Sequence, residues 1–184
     1  MQTISKFILK CVGWSVNIQL PEPPKSVICV APHTSNWDFI IGKLSYLALG
    51  RASFFLMKKS WFFFPMNILL NALGGVAVDR SKKNSITDQM AAEFESRSQF
   101  HLAITPEGTR KRVEAWKLGF YYIALKAQVP IQLVYIDYQK KESGLFDIFY
   151  PTGNEKADLE YIQGFYANVQ ACYVEKFNRN ITLK

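Results

Sequence analysis

The chain is predicted to be an α/β domain with a mixed, largely parallel central sheet flanked by helices. Short β-like runs alternate with helical patterns from about residue 26 to residue 177, and Pro, Gly or polar clusters punctuate the changes. At 184 residues, 49% of them hydrophobic, the chain is long enough to bury a substantial core. No Pro/Gly/Ser-rich linker or composition shift divides it, so residues 1–184 are expected to form one domain.

In order, Ile4 to Trp14 place apolar residues at helical spacing with Lys6 and Lys10 between them. This stretch, within a possible interfacial N-terminal helix over 1–20, either lies at a lipid interface or packs on the core. Pro21-Glu22-Pro23-Pro24 is a rigid entry segment. Strands are expected at Val27–Val30, Ser53–Met57, Val76–Val78, Leu102–Thr105, Ile131–Tyr138 and Leu145–Tyr150. Helices are expected at Trp37–Leu49, Pro65–Leu73, Ser85–Ser98, Lys117–Gln128 and Lys156–Phe177. The uncharged stretch Ser60–Val78 approaches the length of a membrane span, but Pro65, Asn67, Asn71 and Gly74-Gly75 argue for a short apolar helix followed by a core strand. No signal peptide or clear transmembrane span is expected.

A net charge of +7 implies an anionic partner. No RNA-binding aromatic signature or long Lys/Arg block appears, which disfavours nucleic acid. Cations instead mix with aromatics, as in Met57-Lys58-Lys59-Ser60-Trp61-Phe62-Phe63-Phe64, a combination suited to a membrane interface. Whether Trp61 to Phe64 meet lipid or the core stays open. The cysteines, Cys11, Cys29 and Cys172, are scattered and odd in number, which points to a reducing compartment without a disulfide framework or a CxxC metal site.

The chemistry centres on Ala31-Pro32-His33-Thr34-Ser35-Asn36-Trp37-Asp38-Phe39. A histidine accepts a proton near neutral pH, and a carboxylate on its far nitrogen fixes the tautomer. Residues five apart on one helix point about 140° away from each other, so His33 must precede the helix and Asp38 must reach back from its first turn. Ser35 or Asn36 would cap that helix, and Thr34 and Ser35 read as capping groups rather than nucleophiles. The plainer alternative is that Asp38 only complements the helix dipole.

Two more charged loops follow strands. Val76-Ala77-Val78-Asp79-Arg80-Ser81-Lys82-Lys83 brings Arg80 to a strand's carboxyl end, where a guanidinium fork can hold phosphate or pair with a neighbour. Thr105-Pro106-Glu107-Gly108-Thr109-Arg110-Lys111-Arg112 sets a carboxylate and a glycine before three cations. His101, at the other end of its strand, is expected to be structural, and Phe120 to Ile123 either line an apolar channel or fill the core.

His33-x4-Asp38, Gly75-Val76-Ala77-Val78-Asp79-Arg80, Pro106-Glu107-Gly108-Thr109-Arg110 and Val129-Pro130-Ile131 follow the order and approximate spacing of four motifs. On these, the chain resembles the glycerolipid acyltransferase family, which includes the lysophosphatidic acid acyltransferases. Thr105 stands where the family usually has Phe, Lys111 where Ser is frequent, and Leu133 where a second Pro is common. These departures bear on acceptor and acyl-chain preference.

The resemblance implies transfer of a fatty acyl group from acyl-ACP or acyl-CoA, as co-substrate and with no further cofactor or metal, to a lysophospholipid hydroxyl. It implies His33 as general base and Asp38 as its orienter, with Arg80, Glu107, Gly108, Thr109 and Arg110 binding substrate, although Glu107 either positions the acceptor or braces the loop. Backbone N–H groups near the helix start or the Glu107-Gly108 loop are the expected oxyanion donors. The leading product is phosphatidic acid. The alternatives are O-acylation of a lyso-aminolipid and a non-catalytic anionic-lipid binding module. The expected location is the cytoplasmic face of a membrane, peripheral or monotopic.

Overall fold

The computed structural model describes residues 1–79 and 85–179. Among these residues seven strands form one sheet: β1 (Ser15–Asn17), β2 (Lys25–Ala31), β3 (Phe54–Lys58), β4 (Gly75–Val78), β5 (Phe100–Ile104), β6 (Ile131–Asp137) and β7 (Glu142–Phe149). Their spatial order is β1-β7-β6-β2-β5-β3-β4, and every neighbouring pair is parallel except β6 with β7. Six α-helices among the described residues complete the fold: α1 (Gln2–Cys11), α2 (Asn36–Ala48), α3 (Met66–Ala72), α4 (Ile86–Ser96), α5 (Gly119–Ala127) and α6 (Glu155–Tyr166).

The period-two rule of a strand divides β2 between two cores. Val27, Cys29 and Ala31 enter the larger one, with Phe94 of α4, Phe120 of α5 and Leu159 of α6. Ile28 faces the other side, where it packs with Tyr46 of α2 and Val134 of β6. A strand covered on both faces is mostly apolar, and the polar side chains that β2 and β6 bury near their starts, Ser26 and Gln132, are hydrogen-bonded to each other. Phe120, Tyr121 and Ile123 are buried in the larger core, so their ambiguity resolves in favour of packing.

One expectation needs correction, and one strand was not expected. The last helix ends at Tyr166 rather than Phe177. The Tyr166 hydroxyl donates to the carbonyls of Cys29 and Val134, which anchors the helix end in the core. Beyond it, the Gln170 carbonyl accepts from Tyr138 N–H and Tyr173 N–H donates to Thr34 Oγ1. These tertiary partners lie at the sheet's carboxyl end, and they draw the chain across it instead of along a helix axis. The unexpected strand is β1, whose three residues pair with β7 at the sheet edge and have too little burial to leave a pattern.

A buried polar chain crosses the opposite end of the sheet. Gln132 Nε2 donates to Ser26 Oγ at 2.7 Å, Ser26 Oγ meets His101 Nδ1 at 2.9 Å, and the Tyr46 hydroxyl donates to Gln132 Oε1 at 3.0 Å. His101 is sequestered there, and burial, aided by the charge of Arg51, lowers its pKa to about 4. The unfolded chain therefore takes up a proton that the folded one refuses. Stability associated with His101 is present above about pH 6.5 and is lost as pH falls towards 4. Thermal melts at pH 7 and pH 4.5 should show this loss, and His101→Gln should make it smaller; an unchanged difference would refute the linkage.

Candidate active site

The site lies where β2 ends and α2 begins. Ser35 adopts extended backbone as the α2 N-cap, and a capping box links its side chain and N–H to Asp38. Asp38 thereby points back over the loop. Its Oδ2 accepts from the N–H groups of Thr34 at 2.7 Å and Ser35 at 2.8 Å, and lies 3.2 Å from His33 Nδ1. Its Oδ1 accepts from the Tyr138 hydroxyl at 2.7 Å. The two readings of Asp38, helix cap and histidine partner, are both true of one carboxylate. With Nδ1–H directed at Asp38, the other ring nitrogen, Nε2, is left as the acceptor. Ser35 is occupied as a cap and Thr34 Oγ1 as an acceptor for Tyr173, so neither is arranged as a nucleophile.

His33, Asn36 and Asp38 border a pocket of about 380 Å³. It runs under α2, past Phe39, Gly42 and Tyr46, against Ile28, Val30, Phe55 and Val134 of the sheet. Its lining is overwhelmingly apolar. Near Ser53 it carries one cation, Lys43, whose Nζ donates to the Ser53 carbonyl at 2.5 Å and whose pKa burial lowers. No group of three or more His, Cys, Asp or Glu side chains among the described residues is placed to hold a metal ion.

The 105–112 loop closes over the same place. Gly108, at φ +63, lines the pocket and packs so near Lys117 that an added Cβ would lie 2.9 Å from Lys117 Cδ. Arg110 donates from Nη1 to Asn36 Oδ1, so an exposed guanidinium stands at the pocket rim. Thr109 Oγ1 accepts from Lys111 N–H and organises the turn. Arg112 behaves differently from its neighbours, because its guanidinium ties down the carbonyls of Glu175 and Phe177 and the Asn178 side chain. It is a brace for the C-terminal segment rather than part of a cationic cradle. Arg80 lies outside the described residues.

Several backbone groups considered as oxyanion donors already have partners. Thr34 and Ser35 N–H serve Asp38, His33 N–H serves Glu107, and Gly108 N–H bonds the Thr105 carbonyl. The Val129-Pro130-Ile131 motif sits at the far end of the sheet, where the Pro130 carbonyl accepts from Val27 N–H. It helps register β6 against β2. Tyr138, just past the carboxyl end of β6, was invisible to motif reading; its position beyond a parallel strand was the only available signal.

Glu107 is buried beneath the His33 loop. Its Oε1 accepts His33 N–H at 3.0 Å, whereas Oε2 has no hydrogen-bond partner among the described residues. Burial raises its pKa to about 7, against the smaller opposing effects of its own backbone N–H and of the His33 N–H bond. The folded protein thus holds a proton that the unfolded chain has released. This contribution to stability is present below about pH 4.5 and is lost as pH rises through 7. Glu107→Gln, which keeps an acceptor for His33, should raise Tm relative to the parent at pH 8 more than at pH 5. An equal effect at both values would contradict that assignment.

Comparison with known proteins adds an independent line. A search of curated proteins finds no match. The chain is similar in structure to the 1-acyl-sn-glycerophosphate (LPA) acyltransferase PlsC from Thermotoga maritima, with a TM-score of 0.63 and 18% sequence identity over 89% of this chain and 74% of that one. At that identity the likeness establishes a shared fold. A family model described as Acyltransferase matches residues 16–137, a stretch that holds β2, the His33–Asp38 pair and the 105–112 loop. The chain therefore belongs to the acyltransferase family.

Proposed function

We propose that the protein transfers a fatty acyl group from an acyl thioester to the free hydroxyl of a lysophospholipid, with lysophosphatidic acid as acceptor and phosphatidic acid as product. The observation that carries this reading is the placement of the His33–Asp38 pair at the mouth of an apolar pocket with Arg110 at its rim. The acyl chain would occupy the pocket, where burial of its methylenes contributes about 0.8 kcal/mol each. Arg110, joined by Arg80, would hold the acceptor phosphate through charge-assisted hydrogen bonds. Glu107, Gly108 and Thr109 would shape the loop that presents Arg110. The orphaned Glu107 oxygen and the His33 N–H bond favour a bracing role for Glu107 over contact with substrate.

In the proposed reaction, His33 Nε2 takes the proton of the acceptor hydroxyl as its oxygen attacks the thioester carbonyl. The tetrahedral adduct collapses, the C–S bond breaks, and the proton passes from His33 to the departing thiolate. No acyl-enzyme is formed. This fits the engagement of Thr34 and Ser35 in other hydrogen bonds and the burial that raises the pKa of the Cys29 thiol.

A membrane-facing orientation is part of the proposal. Among the described residues no helix is long and apolar enough to cross a membrane. Large apolar side chains are nevertheless exposed on α1 (Ile4, Phe7 and Ile8), at the start of α2 (Trp37 and Ile40) and around α3 (Trp61, Phe63, Phe64, Ile68 and Leu69). Aromatic and aliphatic groups flanked by Lys6, Lys10, Lys58 and Lys59 suit peripheral attachment to an anionic bilayer, with an acyl carrier protein or coenzyme A delivering the donor.

The test is an assay of purified protein with labelled acyl-coenzyme A or acyl carrier protein thioester and a panel of lysolipids. Labelled phosphatidic acid should form from lysophosphatidic acid. His33→Ala and Asp38→Asn should lower kcat by about 10²–10⁴-fold, whereas Arg110→Ala should chiefly raise the acceptor KM. Product formed only from a lyso-aminolipid would replace the acceptor assignment. Full turnover by a folded His33→Ala protein would overturn the base assignment.

A further inference from the structure

Tyr138 has a place in the site that no motif assigns. Its hydroxyl donates to Asp38 Oδ1 at 2.7 Å, on the carboxylate oxygen that His33 does not use. Two independent contacts fix the residue. Its backbone N–H donates to the Gln170 carbonyl at 2.9 Å, and Trp14, just beyond α1, meets its ring edge-on with centroids 5.1 Å apart. The backbone and ring are thus held from two directions, and the hydroxyl meets Asp38 Oδ1 with the Cys172 side chain also beside it. We propose that Tyr138 is a positioning residue for the acyl transfer reaction, which locks the Asp38 carboxylate in the rotation that presents Oδ2 to His33 Nδ1.

The inference rests on the functional reading of the His33–Asp38 pair and extends it. A carboxylate held only by its own loop can still rock about its Cβ–Cγ bond, because that torsion is broad. Thr34 and Ser35 N–H both grip Oδ2, so they constrain one oxygen only. A hydrogen bond to the second oxygen removes the remaining rotation. Burial and the adjacent Asp38 carboxylate push the Tyr138 pKa upward, so the hydroxyl keeps its proton and remains a donor. Trp14 also gives the segment following α1 a mechanical connection to this pair through the ring it packs against.

Tyr138→Phe isolates the hydroxyl, because the ring against Trp14 and the backbone bond to Gln170 are kept. With acyl-coenzyme A and lysophosphatidic acid, kcat should fall by about 10–100-fold, the loss expected for a hydrogen bond to a charged group, with each KM changed less than about twofold. In an Asp38→Asn background the same substitution should change kcat less than about twofold, since the two residues act through one contact. ¹⁵N NMR supplies a readout independent of turnover. The chain has two histidines, so His101 is an internal control. Tyr138→Phe should move the His33 ring nitrogens and leave those of His101 in place. Unchanged His33 signals, unchanged kcat in a folded variant, or an equal loss in the Asp38→Asn background would each overturn the proposal. If Asp38→Asn alone left kcat intact, the reading of the pair itself would fail with it. An inactive Asp38→Asn protein beside a fully active Tyr138→Phe would sink only the present inference.

Discussion

The Asp38 carboxylate, met by donors from its own loop, from the His33 ring and from Tyr138 beyond the end of the neighbouring strand β6, is the interaction on which the site's geometry depends. A capping carboxylate normally serves only its helix. Here the five-residue spacing from His33 lets one side chain end a strand-to-helix turn, start α2 and face an imidazole. Each role restrains the others. Loss of the capping geometry would release the histidine, and loss of the loop N–H bonds would turn the carboxylate away from it.

That arrangement works because of where the fold puts it. β2 lies between β5 and β6, covered on both faces, so its end is a rigid platform. The 105–112 loop leaves the adjacent β5 and comes back over the His33 loop, where buried Glu107 clasps the His33 backbone. The stretch after α6 then passes the same edge, held by Tyr138, Thr34 and Arg112. The pocket beneath α2 opens beside this clasped loop. Rigid positioning of the pair and an apolar bed next to it are what acyl transfer between lipid-derived substrates requires of a protein.

Much of this was legible in the chain because local chemistry dictated it. The His33-x4-Asp38 spacing required a loop residue and a first-turn residue, and Ser35 ahead of Asp38 carried the capping signal. The short apolar run from Val27 to Val30, ended by Pro32, read as a buried strand. What escaped sequence reading depends on contacts between distant segments. Tyr138 has no local feature that aims it at Asp38, a hundred positions earlier. Arg112 is one of three cations after Gly108 in the sequence, and only the C-terminal carbonyls it binds set it apart from Arg110. The overlong final helix failed for the same reason, since the polar partners that pull residues 167–177 off the helix axis lie on other elements. Phe120 and Tyr121 had two plausible fates by composition, and only the placement of α5 over the larger core separates them.

The pocket and the imidazole are proposed to act on one acyl chain, and direct sight of such a chain is the most decisive measurement. A crystal structure with a non-hydrolysable thioether analogue of acyl-coenzyme A should place the hydrocarbon between α2 and β2, along Phe39, Gly42 and Ile28, with the carbon bearing sulfur beside His33. A chain bound elsewhere, with the pocket under α2 unfilled and His33 remote from the sulfur, would contradict the proposed mechanism.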